Sequence, residues 1–502
     1  MKKKTGGLLT IQGIDTSKPA EYISERTTPD CQNVEIDRFT IKKRPGTTTV
    51  GATMSQEIMA GRELDISGTK KNTRIGLTAL QVYTSGAWAD KTGTALTGTT
   101  ADPVCTCVSQ ISSVNWLIFT NGIDAVRKFD GSNNSAVLGG TPPVCDFLTD
   151  YKGYLVLAKI SSYPMRVQWS DTGLIETWTG GNSGSTDLLD DAGEITGIGK
   201  IGDYLTIHKE NCIYLGYLVP TTDIFRFDRK STGSGTICNG TIQELPTGEQ
   251  IYLANDGLRL FNGISSSLIE SPVTDELRET LNPEYVHKSW SIQMEELDEV
   301  WIAVPIGSQT TPDTIYKYNY NTKTIHKDVR SGITAAWKYT QSASITWDSF
   351  ATGVSWDSVE GRWNNRDLEN LFSLTMFGDN TGLSYKRDTT VNNDNSVAVN
   401  AYWTSKDFEN EEKGRLCRWN KMEFWAKGQN IKIDYSTDEG ITWNNISTYA
   451  LSSYYPIDSA PLIAYFDVVS SKIRFKFSNA TAGETFNLKQ FIVSYLDREV
   501  RA

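Results

Sequence analysis

The chain has 502 residues, and its 60 acidic against 49 basic side chains give a formal net charge of -11. A negative surface repels phosphate backbones, so the composition argues against a protein that reads DNA sequence through phosphate contacts. The length suits either roughly two to four average domains or one long all-β unit. The aromatic fraction is 11%, with 14 Trp and 22 Tyr, which favours wide pleated sheets over helices.

The sequence predicts neither a membrane-spanning helix nor a secretory signal. No run of about 20 apolar residues predicts a membrane-spanning helix. The basic start, Met1 to Thr5, is followed by too few apolar residues for the hydrophobic part of a secretory signal. We therefore expect a protein that is made and assembled in the cytoplasm, with no membrane-spanning segment.

The first 50 residues form one predicted unit, an N-terminal arm with a first strand. Residues 17–28 have little periodicity, and the basic triplet Lys42, Lys43 and Arg44 precedes Pro45. The usual interpretation of such a triplet is a solvated strand end, and a specific acidic partner is the alternative.

Residues 51–390 form the second predicted unit. Their apolar runs are four to eight residues long and end at Gly, Asn, Asp or Ser, which is typical of short strands. The clearest predicted strands are residues 116–120, 154–159, 204–208, 213–217, 251–254, 300–304 and 315–320. One short helix is predicted over residues 274–281, closed by Asn282 and Pro283.

A related turn recurs within this unit. The segments TNGIDAVRKFDGS (120–132) and ANDGLRLFNGI (254–264) each contain a Gly turn, a short strand and an aromatic, and GDNTGLSYKRD (378–388) is similar. We expect Asn121-Gly122 and Asp256-Gly257 to form tight hairpin turns, since both dipeptides favour positive φ. Imperfect repeats of about 45 to 130 residues predict a β-propeller, with spacing too irregular for a strict WD40 or kelch array.

The third predicted unit is residues 391–502. Segments such as KIRFKFSNA and QFIVSYLD alternate polar and apolar residues, so one face of each strand should be buried and the other wet. This predicts an additional antiparallel sheet or sandwich. The polar stretch 388–400 is interpreted as a boundary or exposed loop.

The third unit carries an Asp-box pattern. Ser436, Asp438, Gly440 and Trp443 fit S-x-D-x-G-x-T-W, in which the Asp accepts backbone N–H groups, Gly takes positive φ and Trp packs under the turn. The pattern resembles turns of sialidase propellers, where it is structural. We predict that Asp438 supports a hairpin and is not a catalytic acid.

Two further segments have weaker functional interpretations. In QWSDTGLIETW (168–178), Asp171 and Glu176 could serve as the carboxylate pair of a glycosidase, but they lie on a turn with no marked partner acid, which favours a structural role. STGSGT (231–236) is rich in glycine yet lacks the Gly-Lys-Ser/Thr and helix of a phosphate loop. We interpret it as a loop.

Neither a disulfide framework nor a metal site is predicted. The cysteine count, seven, is odd, and Cys105 and Cys107 are expected to be buried or idle thiols, with a zinc site as the alternative. The histidines His208, His287 and His326 show no spacing that suggests a catalytic relay or a metal pair. We predict no catalytic residue, no cofactor and no metal.

The order of several segments carries a family resemblance. These are CQNVEIDRFTIKKRPGT (31–47), VQWSDTGLIETW (167–178), STGSGTICNGTIQELPTGEQIYLANDGLRLFNG (231–263), DEVWIAVP (298–305) with IYKYNYNTKT (315–324), and YSTDEGITW (435–443). Together they resemble the tail nozzle proteins of short-tailed bacteriophages, also called tail tubular protein B or tail hub and related to packaged-DNA stabilisation proteins. The family's Pro before the second Trp of the 168–178 segment is missing here, and residues 341–369 match nothing in the family.

The resemblance implies a structural virion protein of the viral tail, assembled in the host cytoplasm. Six copies would form a ring below the portal or head-to-tail adaptor and carry tail fibres or a needle. Viral double-stranded DNA would pass non-specifically through the lumen during ejection, and a constriction would open after host recognition.

Two other function classes compete with this hypothesis. A tail-associated propeller glycosidase or polysaccharide depolymerase is suggested by the Asp box and by aromatics that could stack on sugars. A secreted propeller adhesin is disfavoured by the missing export signal and the unpaired cysteines.

Overall fold

Five short strands precede the first repeated unit. The computed structural model describes residues 2–5, 13–37, 40–220, 223–269, 273–340, 373–410, 412, 414–457 and 460–497. The first strands are β1 (Lys2–Thr5), β2 (Cys31–Gln32), β3 (Val34–Asp37), β4 (Thr40–Lys43) and β5 (Gly46–Thr49).

Six four-stranded antiparallel sheets then follow one another, and in each the strands pair in chain order. The first three sheets contain β6 (Ile58–Ile66), β7 (Thr69–Gly76), β8 (Leu80–Thr84) and β9 (Ala87–Asp90); β10 (Cys105–Ile111), β11 (Val114–Thr120), β12 (Arg127–Phe129) and β13 (Ala136–Val137); and β14 (Cys145–Tyr151), β15 (Tyr154–Ile160), β16 (Tyr163–Trp169) and β17 (Gly184–Asp187).

The next three sheets repeat this plan, with a few helical turns between their strands. They contain β18 (Ile195–Ile201), β19 (Tyr204–Lys209), β20 (Cys212–Leu218) and β21 (Phe225–Thr232); β22 (Gln243–Glu244), β23 (Gln250–Ala254), β24 (Gly257–Phe261) and β25 (Ser266–Leu268); and β26 (Trp290–Met294), β27 (Glu299–Val304), β28 (Thr314–Asn319) and β29 (Thr324–Val329). The helix α1 spans Val273–Thr280, close to its predicted position, and 3-10 turns cover Asn239–Thr241, Val286–Lys288 and Glu295–Leu297.

A further sheet combines the two ends of this region. It contains β30 (Ile333–Thr340), β31 (Ser373–Asp379) and β32 (Ser384–Asp388), with β33 (Asn393–Asp394) and β34 (Val397–Ala398) at its far edge. The N-terminal strand β5 pairs antiparallel with β32, opposing Thr49 to Tyr385. Residues more than 300 positions apart in the sequence therefore share one sheet.

These sheets form a closed ring. The first strand of each sheet contacts the first strand of the next, and β30 contacts β6 to complete the circle. Among the described residues, six four-stranded sheets and the sheet closed by β5 make seven blades, so the predicted β-propeller is confirmed.

The middle strands of the blades are buried on both faces because each blade packs between two others. In β15, six of the seven side chains are buried, and all six are buried in β27. The continuous apolar runs read from the sequence correspond to these strands.

The remaining strands build a sandwich of two six-stranded sheets. They are β35 (Ala401–Thr404), β36 (Phe408–Glu409), β37 (Cys417–Gly428), β38 (Asn430–Ser436), β39 (Asn444–Ala450), β40 (Leu462–Ser470), β41 (Lys472–Asn479) and β42 (Phe486–Asp497). One sheet has the order β2-β35-β41-β38-β39, with β36 on β41, and the other has the order β3-β4-β42-β37-β40, with β1 on β42.

Burial alternates along all eight residues of β41, which is typical of a sheet with one wet face. Between the sheets, Trp403, Phe477 and Phe491 form a chain of ring contacts. The core continues into blades five and six through residues such as Leu253 and Tyr316. The predicted C-terminal sandwich is thus confirmed, and the first 50 residues, predicted as an arm, supply strands to both the sandwich and the propeller.

Candidate functional site

A cavity of about 520 Å³ opens at one end of the propeller axis. The innermost strands of six blades begin at this end, and residues at their starts line the cavity. Met59, Phe147, Thr196 and Ala335 come from four different blades. A concavity of this size is the usual place to look for a ligand or active site.

Most charges in the cavity wall are paired. Lys288 Nζ lies 3.3 Å from Glu57 Oε1, with both side chains largely buried. Lys159 Nζ lies 3.0 Å from Asp146 Oδ2 and 3.4 Å from Glu194 Oε2, in a more exposed position. The cavity is therefore not a strongly acidic or basic site.

The turn before blade five crosses the axis beside this cavity. Asn239 Oδ1 accepts a hydrogen bond from the Ile198 backbone N–H of blade four at 2.9 Å. Its Nδ2 lies 3.7 Å from Cys105 Sγ of blade two. The thiol of Cys238 reaches the Ser289 carbonyl at the start of blade six, 3.1 Å away. Side chains of one turn thus connect three other blades across the axis.

Three polar atoms of the cavity lining have no hydrogen-bond partner among the described residues. They are Thr196 Oγ1, His287 Nε2 and Ser289 Oγ. Burial, followed by the charge of Lys288, lowers the pKa of His287, so the ring is neutral at pH 7. Such atoms are satisfied by solvent or a polar ligand.

A second group of charges lies between the sandwich and blades six and seven, and we call it the junction cluster: Glu35, Arg44, Glu299, Lys317, His326, Asp328, Arg330, Arg387 and Asp394. Lys317 Nζ lies 2.6 Å from Asp328 Oδ2, with both side chains fully buried. Arg44 donates two hydrogen bonds to Asp394, at 3.0 and 2.5 Å, and its Nε lies 3.5 Å from Asp328.

Arg44 connects the start of blade seven with carboxylates of blades six and seven, at the end of the sandwich strand β4. Arg44 lies between β4 of the sandwich and β5 of blade seven, Asp328 belongs to β29 of blade six, and Asp394 belongs to β33. One guanidinium therefore contacts carboxylates of two blades at the point where the chain leaves the sandwich.

The other side of the cluster pairs a sandwich carboxylate with a blade-seven cation. Glu35 Oε1 lies 3.1 Å from Arg387 Nη2, and both side chains are 8% exposed. Burial alone would raise the pKa of Glu35, but Arg387 and Lys317 outweigh it and lower the pKa to about 2. Glu35 is therefore ionised in the folded protein.

Glu299 and His326 behave differently within the same cluster. Glu299 Oε2 accepts a hydrogen bond of 2.8 Å from Trp301 Nε1, and Glu299 Oε1 lies 3.5 Å from His326 Nε2. Burial raises the pKa of Glu299 to about 7, with Lys317 opposing the shift. Burial and Lys317 lower the pKa of His326 to about 3.

The interpretation of the basic triplet as a solvated strand end is wrong for two of its members. Lys43 and Arg44 are 0% and 1% exposed. Lys43 donates to Asn479 Oδ1 at 2.9 Å and to the Thr481 carbonyl, within the sandwich. Arg44 pairs with Asp328 and Asp394, which lie far from it in the sequence. No sequence pattern around Arg44 could therefore have identified these partners.

The Asp box forms the turn between β38 and β39. Asp438 Oδ1 accepts hydrogen bonds from Ser436 Oγ at 2.7 Å and from the Thr442 N–H at 2.9 Å. Ser436 Oγ accepts the Gly440 N–H at 2.8 Å, and Gly440 has a φ of +92°. Hydrogen bonds from Thr442 and Ser436 lower the pKa of Asp438 to about 2.

Trp443 ends this turn. Its ring lies 5.4 Å from Lys476 Nζ, a cation–π contact with the neighbouring strand β41. Ser436, Asp438 and Gly440 are thus engaged in the turn itself, and the whole motif belongs to the sandwich.

The two predicted hairpin dipeptides occupy different kinds of connection. Asn121 and Gly122 open the connection from residue 121 to residue 126, where Asn121 Oδ1 accepts the Asp124 N–H at 2.8 Å and Gly122 has a φ of +73°. Gly257 pairs with Ala254, so Asn255 and Asp256 link the strands, and Asp256 binds Arg259 with two oxygens.

Tight turns with two positive φ values occur elsewhere. Ser67-Gly68 has φ values of 50° and 85°, and Lys152-Gly153 has 49° and 84°. Each joins the first two strands of its blade. These Ser-Gly and Lys-Gly turns lack the Asn-Gly and Asp-Gly dipeptides from which hairpins were predicted, and their glycines are the sequence signal that marks them.

Asp171 and Glu176 are held in separate contacts. Asp171 Oδ1 accepts the backbone N–H groups of Thr172 and Asn182. Glu176 Oε1 accepts from Lys128 Nζ at 2.6 Å and from the Gly139 N–H. Burial alone would raise the pKa of Glu176, and these hydrogen bonds lower it, which is opposite to what a general acid requires.

The cysteines within the described ranges are free thiols, and burial raises the pKa of Cys31 and Cys238 to about 12. His208 is buried and its Nε2 lies 2.8 Å from Gln250 Oε1. Across the described residues, no three His, Cys, Asp or Glu side chains are grouped so that they could hold a metal ion.

No protein-family model and no curated protein matches this sequence. Solved structures are similar only at low identity. The chain is similar to BBS1N in complex with ARL6DN, at 10% identity and a TM-score of 0.40 over 68% of this chain and 97% of that one. It is also similar to BamB from Moraxella catarrhalis, at 10% identity and a TM-score of 0.37 over 77% and 97%.

Another similar structure is an exo-beta-1,3-galactanase from Phanerochaete chrysosporium, at 12% identity and a TM-score of 0.27 over 89% of this chain and 100% of the enzyme. The extracellular domain of BT3049, a putative hybrid two component system from B. thetaiotaomicron, matches at 10% identity with a TM-score of 0.36 over 67% of this chain. This chain spans 40% of that protein's length. Within the described residues, no helix is both long enough and apolar enough to cross a membrane.

Proposed function

We propose that this chain is a structural subunit of the tail nozzle of a short-tailed bacteriophage. Six copies form a ring that surrounds part of the DNA-ejection channel and docks the adaptor on one side and a fibre or needle protein on the other. The order of the segments that resemble this family is the sequence support. The junction cluster is the structural observation that carries the proposal.

A channel wall that transmits load benefits from subunits whose parts cannot hinge. Here the N-terminal segment runs from the sandwich into blade seven, and Arg44 contacts carboxylates of blades six and seven at the crossing. Separating the propeller from the sandwich would break these ion pairs and would also expose the apolar core that the two units share, which is unfavourable. The two units therefore behave as one body, as the proposal requires.

The DNA path in this proposal lies between copies of the chain. The turn that carries Asn239 crosses the propeller axis and contacts blades two and four. Protein atoms therefore lie close to the axis at this end of a single propeller. Carboxylates facing the shared lumen would repel DNA and let it slide, in keeping with the net charge of -11.

The test of assembly is to purify the chain with and without its adaptor protein and to measure particle mass by mass photometry. We expect six-membered rings, on their own or on the adaptor, and no hydrolase activity. Monomers alone in the presence of the adaptor would refute the ring.

The channel wall can be tested in virions. Once the ring shows which carboxylates face the lumen, several of them are changed together to Lys, with the same number of outward-facing carboxylates changed as a control. We expect slower DNA ejection only for the lumen variant. Equal ejection rates would contradict the repulsive wall.

A tail-associated glycosidase or depolymerase is the second candidate. The observation in its favour is that Glu57, Asp102 and Asp146 line the axial cavity. Hydrolysis needs two carboxyls about 5 to 9.5 Å apart around the bond, and here the Lys288 and Lys159 ion pairs occupy Glu57 and Asp146. Release of reducing ends from host capsule that stops in Asp102→Asn and Asp146→Asn variants would favour this candidate over the nozzle.

A further inference from the structure

A groove of about 600 Å³ lies at the opposite end of blades four and five from the axial cavity. We call it the Tyr204 groove. The end of β18, the start of β19 and the surface of β20 and β21 form one side, and two turns of blade five form the other. Its lining includes Ile201, Asp203, Tyr204, Tyr217, Lys230 and Asn262.

The floor of the groove is an aromatic platform. Tyr204 is 46% exposed as a residue, and its ring meets the ring of Tyr217 edge-on, at 6.1 Å and 84°. Tyr217 is itself fixed because its hydroxyl donates to Asp228 Oδ2 at 3.0 Å. Tyr rings with few rotatable bonds supply rigid contact area at low entropic cost. Tyr204 is thus held in place while half of it remains open.

Hydrogen-bond donors and hydrogen-bond acceptors both surround this aromatic platform. The Asp203 side chain is 88% exposed and offers acceptors. Asn262 Oδ1 is held by the N–H groups of Ile264 and Ser265, which leaves its amide NH₂ as a donor. Lys230, beside Asp228 at 3.4 Å, adds further donors.

The walls of the groove are turns. Gly202, Gly248 and Gly263 have φ values of +54°, +80° and +88°, and the space where a Cβ would stand is open at each. The edge strand of blade four, β21, also lines the groove, and its charged side chains Asp228 and Lys230 disfavour the addition of a peptide strand there. Asp203 and Asp228 also disfavour a polyanion such as DNA.

An exposed aromatic face with donors and acceptors around it matches a pyranose, which has an apolar C–H face and a rim of hydroxyl groups. Asp228 lies near the cations Arg226 and Lys230, and Asp203 lies 3.5 Å from Lys152. The charges of the groove are therefore approximately balanced, which favours an uncharged ligand.

We propose that the Tyr204 groove binds a neutral oligosaccharide, with one sugar ring stacked on Tyr204 and its hydroxyls bonded to Asp203 and Asn262. No bond is made or broken in this step. The inference goes beyond the nozzle function, since it gives the same chain a site for polysaccharide, and it does not depend on ring formation.

The experiment is saturation-transfer NMR on the full chain with maltohexaose, cellohexaose, chitohexaose and mannohexaose as probes, followed by titration. We expect at least one probe to bind. In Tyr204→Ala the Kd should rise about tenfold or more, as lost aromatic stacking would cause. In Tyr204→Phe the Kd should stay close to wild type, because the Tyr204 hydroxyl makes no hydrogen bond within the described residues.

Tyr454→Ala is the matched control, since Tyr454 is 72% exposed on the sandwich and does not line the groove. Circular dichroism and thermal melting establish that each variant folds. The proposal is overturned if none of the four probes binds. It is equally overturned if Tyr204→Ala binds as well as wild type or if Tyr454→Ala loses as much affinity.

Discussion

The axial cavity and the junction cluster each combine lysine, arginine, histidine and carboxylate side chains, yet most of the junction charges are more deeply buried than the Lys159 pairs of the cavity. At the cavity, Lys159 and Asp146 are each about one-third exposed, and each charge has one or two partners. At the junction, Lys317 and Asp328 are fully buried, and Asp328 is shared among three cations.

This difference separates charges that solvent can compensate from charges that only the fold can compensate. Water screens an exposed pair, so losing a partner costs little. A buried charge without its partner is expensive. The junction should therefore dominate the stability of the molecule and its response to pH, while the more exposed Lys159 pairs of the cavity, unlike its buried Lys288–Glu57 pair, should tolerate substitution.

The largest expected effect is at Arg44. Arg44→Met leaves Asp394 and Asp328 without one of their cations, and we expect the free energy of unfolding to fall by about 3 to 5 kcal/mol. Chemical denaturation monitored by Trp fluorescence measures this. A loss below about 1 kcal/mol would show that the junction is no more important than a surface pair.

The second-largest expected effect is a loss of stability at low pH, through protonation of Glu35 in the junction cluster. The folded pKa of Glu35 is about 2, below its ordinary 4.5. Its contribution is therefore complete above pH 4.5 and is lost as the pH falls towards 2, by roughly 3 kcal/mol in total. Comparing wild type with Glu35→Gln at pH 5, 4 and 3 should show the two stabilities converging. A constant difference would argue against an ionised Glu35.

Glu299 should act with the opposite sign. Its folded pKa is about 7, above 4.5, so the wild type loses stability as the pH rises from 4.5 to 7. Glu299→Gln cannot ionise, and its stability relative to wild type should increase by roughly 2 to 3 kcal/mol between pH 5 and pH 8. Urea titrations at both pH values test this, and a difference independent of pH would show that Glu299 is already ionised at pH 5.

The smallest effect is expected in the axial cavity. Lys159→Met removes the partner of Asp146 and Glu194, and these side chains are accessible enough for solvent to replace it. We expect a change within about 1 kcal/mol. The same denaturation assay is used for Arg44→Met, so the two losses in free energy of unfolding can be compared directly. Equal losses would contradict the proposed difference between the junction cluster and the exposed cavity charges.

Features whose contacts lie within a few residues could be predicted from the sequence, whereas features that depend on residues far apart in the sequence could not. The strand at Tyr154–Ile160 was predictable because its apolar run is continuous, and the Asp438 turn because its hydrogen bonds stay within a few residues. Strand β5, with the sequence Gly-Thr-Thr-Thr, carries no signal of its partner β32. Arg44 is buried by residues about 280 and 350 positions away, so no local pattern distinguished it from a solvated cation.

The pairing of Gly46–Thr49 with Ser384–Asp388 also constrains how the molecule is made. Residues 46–49 leave the ribosome early, whereas their partner strand is synthesised after six complete blades. Until β30 to β32 have been synthesised, β5 has no strand to pair with, and the first blade has no seventh blade beside it. Pairing across such a sequence separation is slow, and unpaired edges invite aggregation while it is pending. Productive folding of this chain is therefore expected to finish only after translation, with the early segment kept available for the final strand.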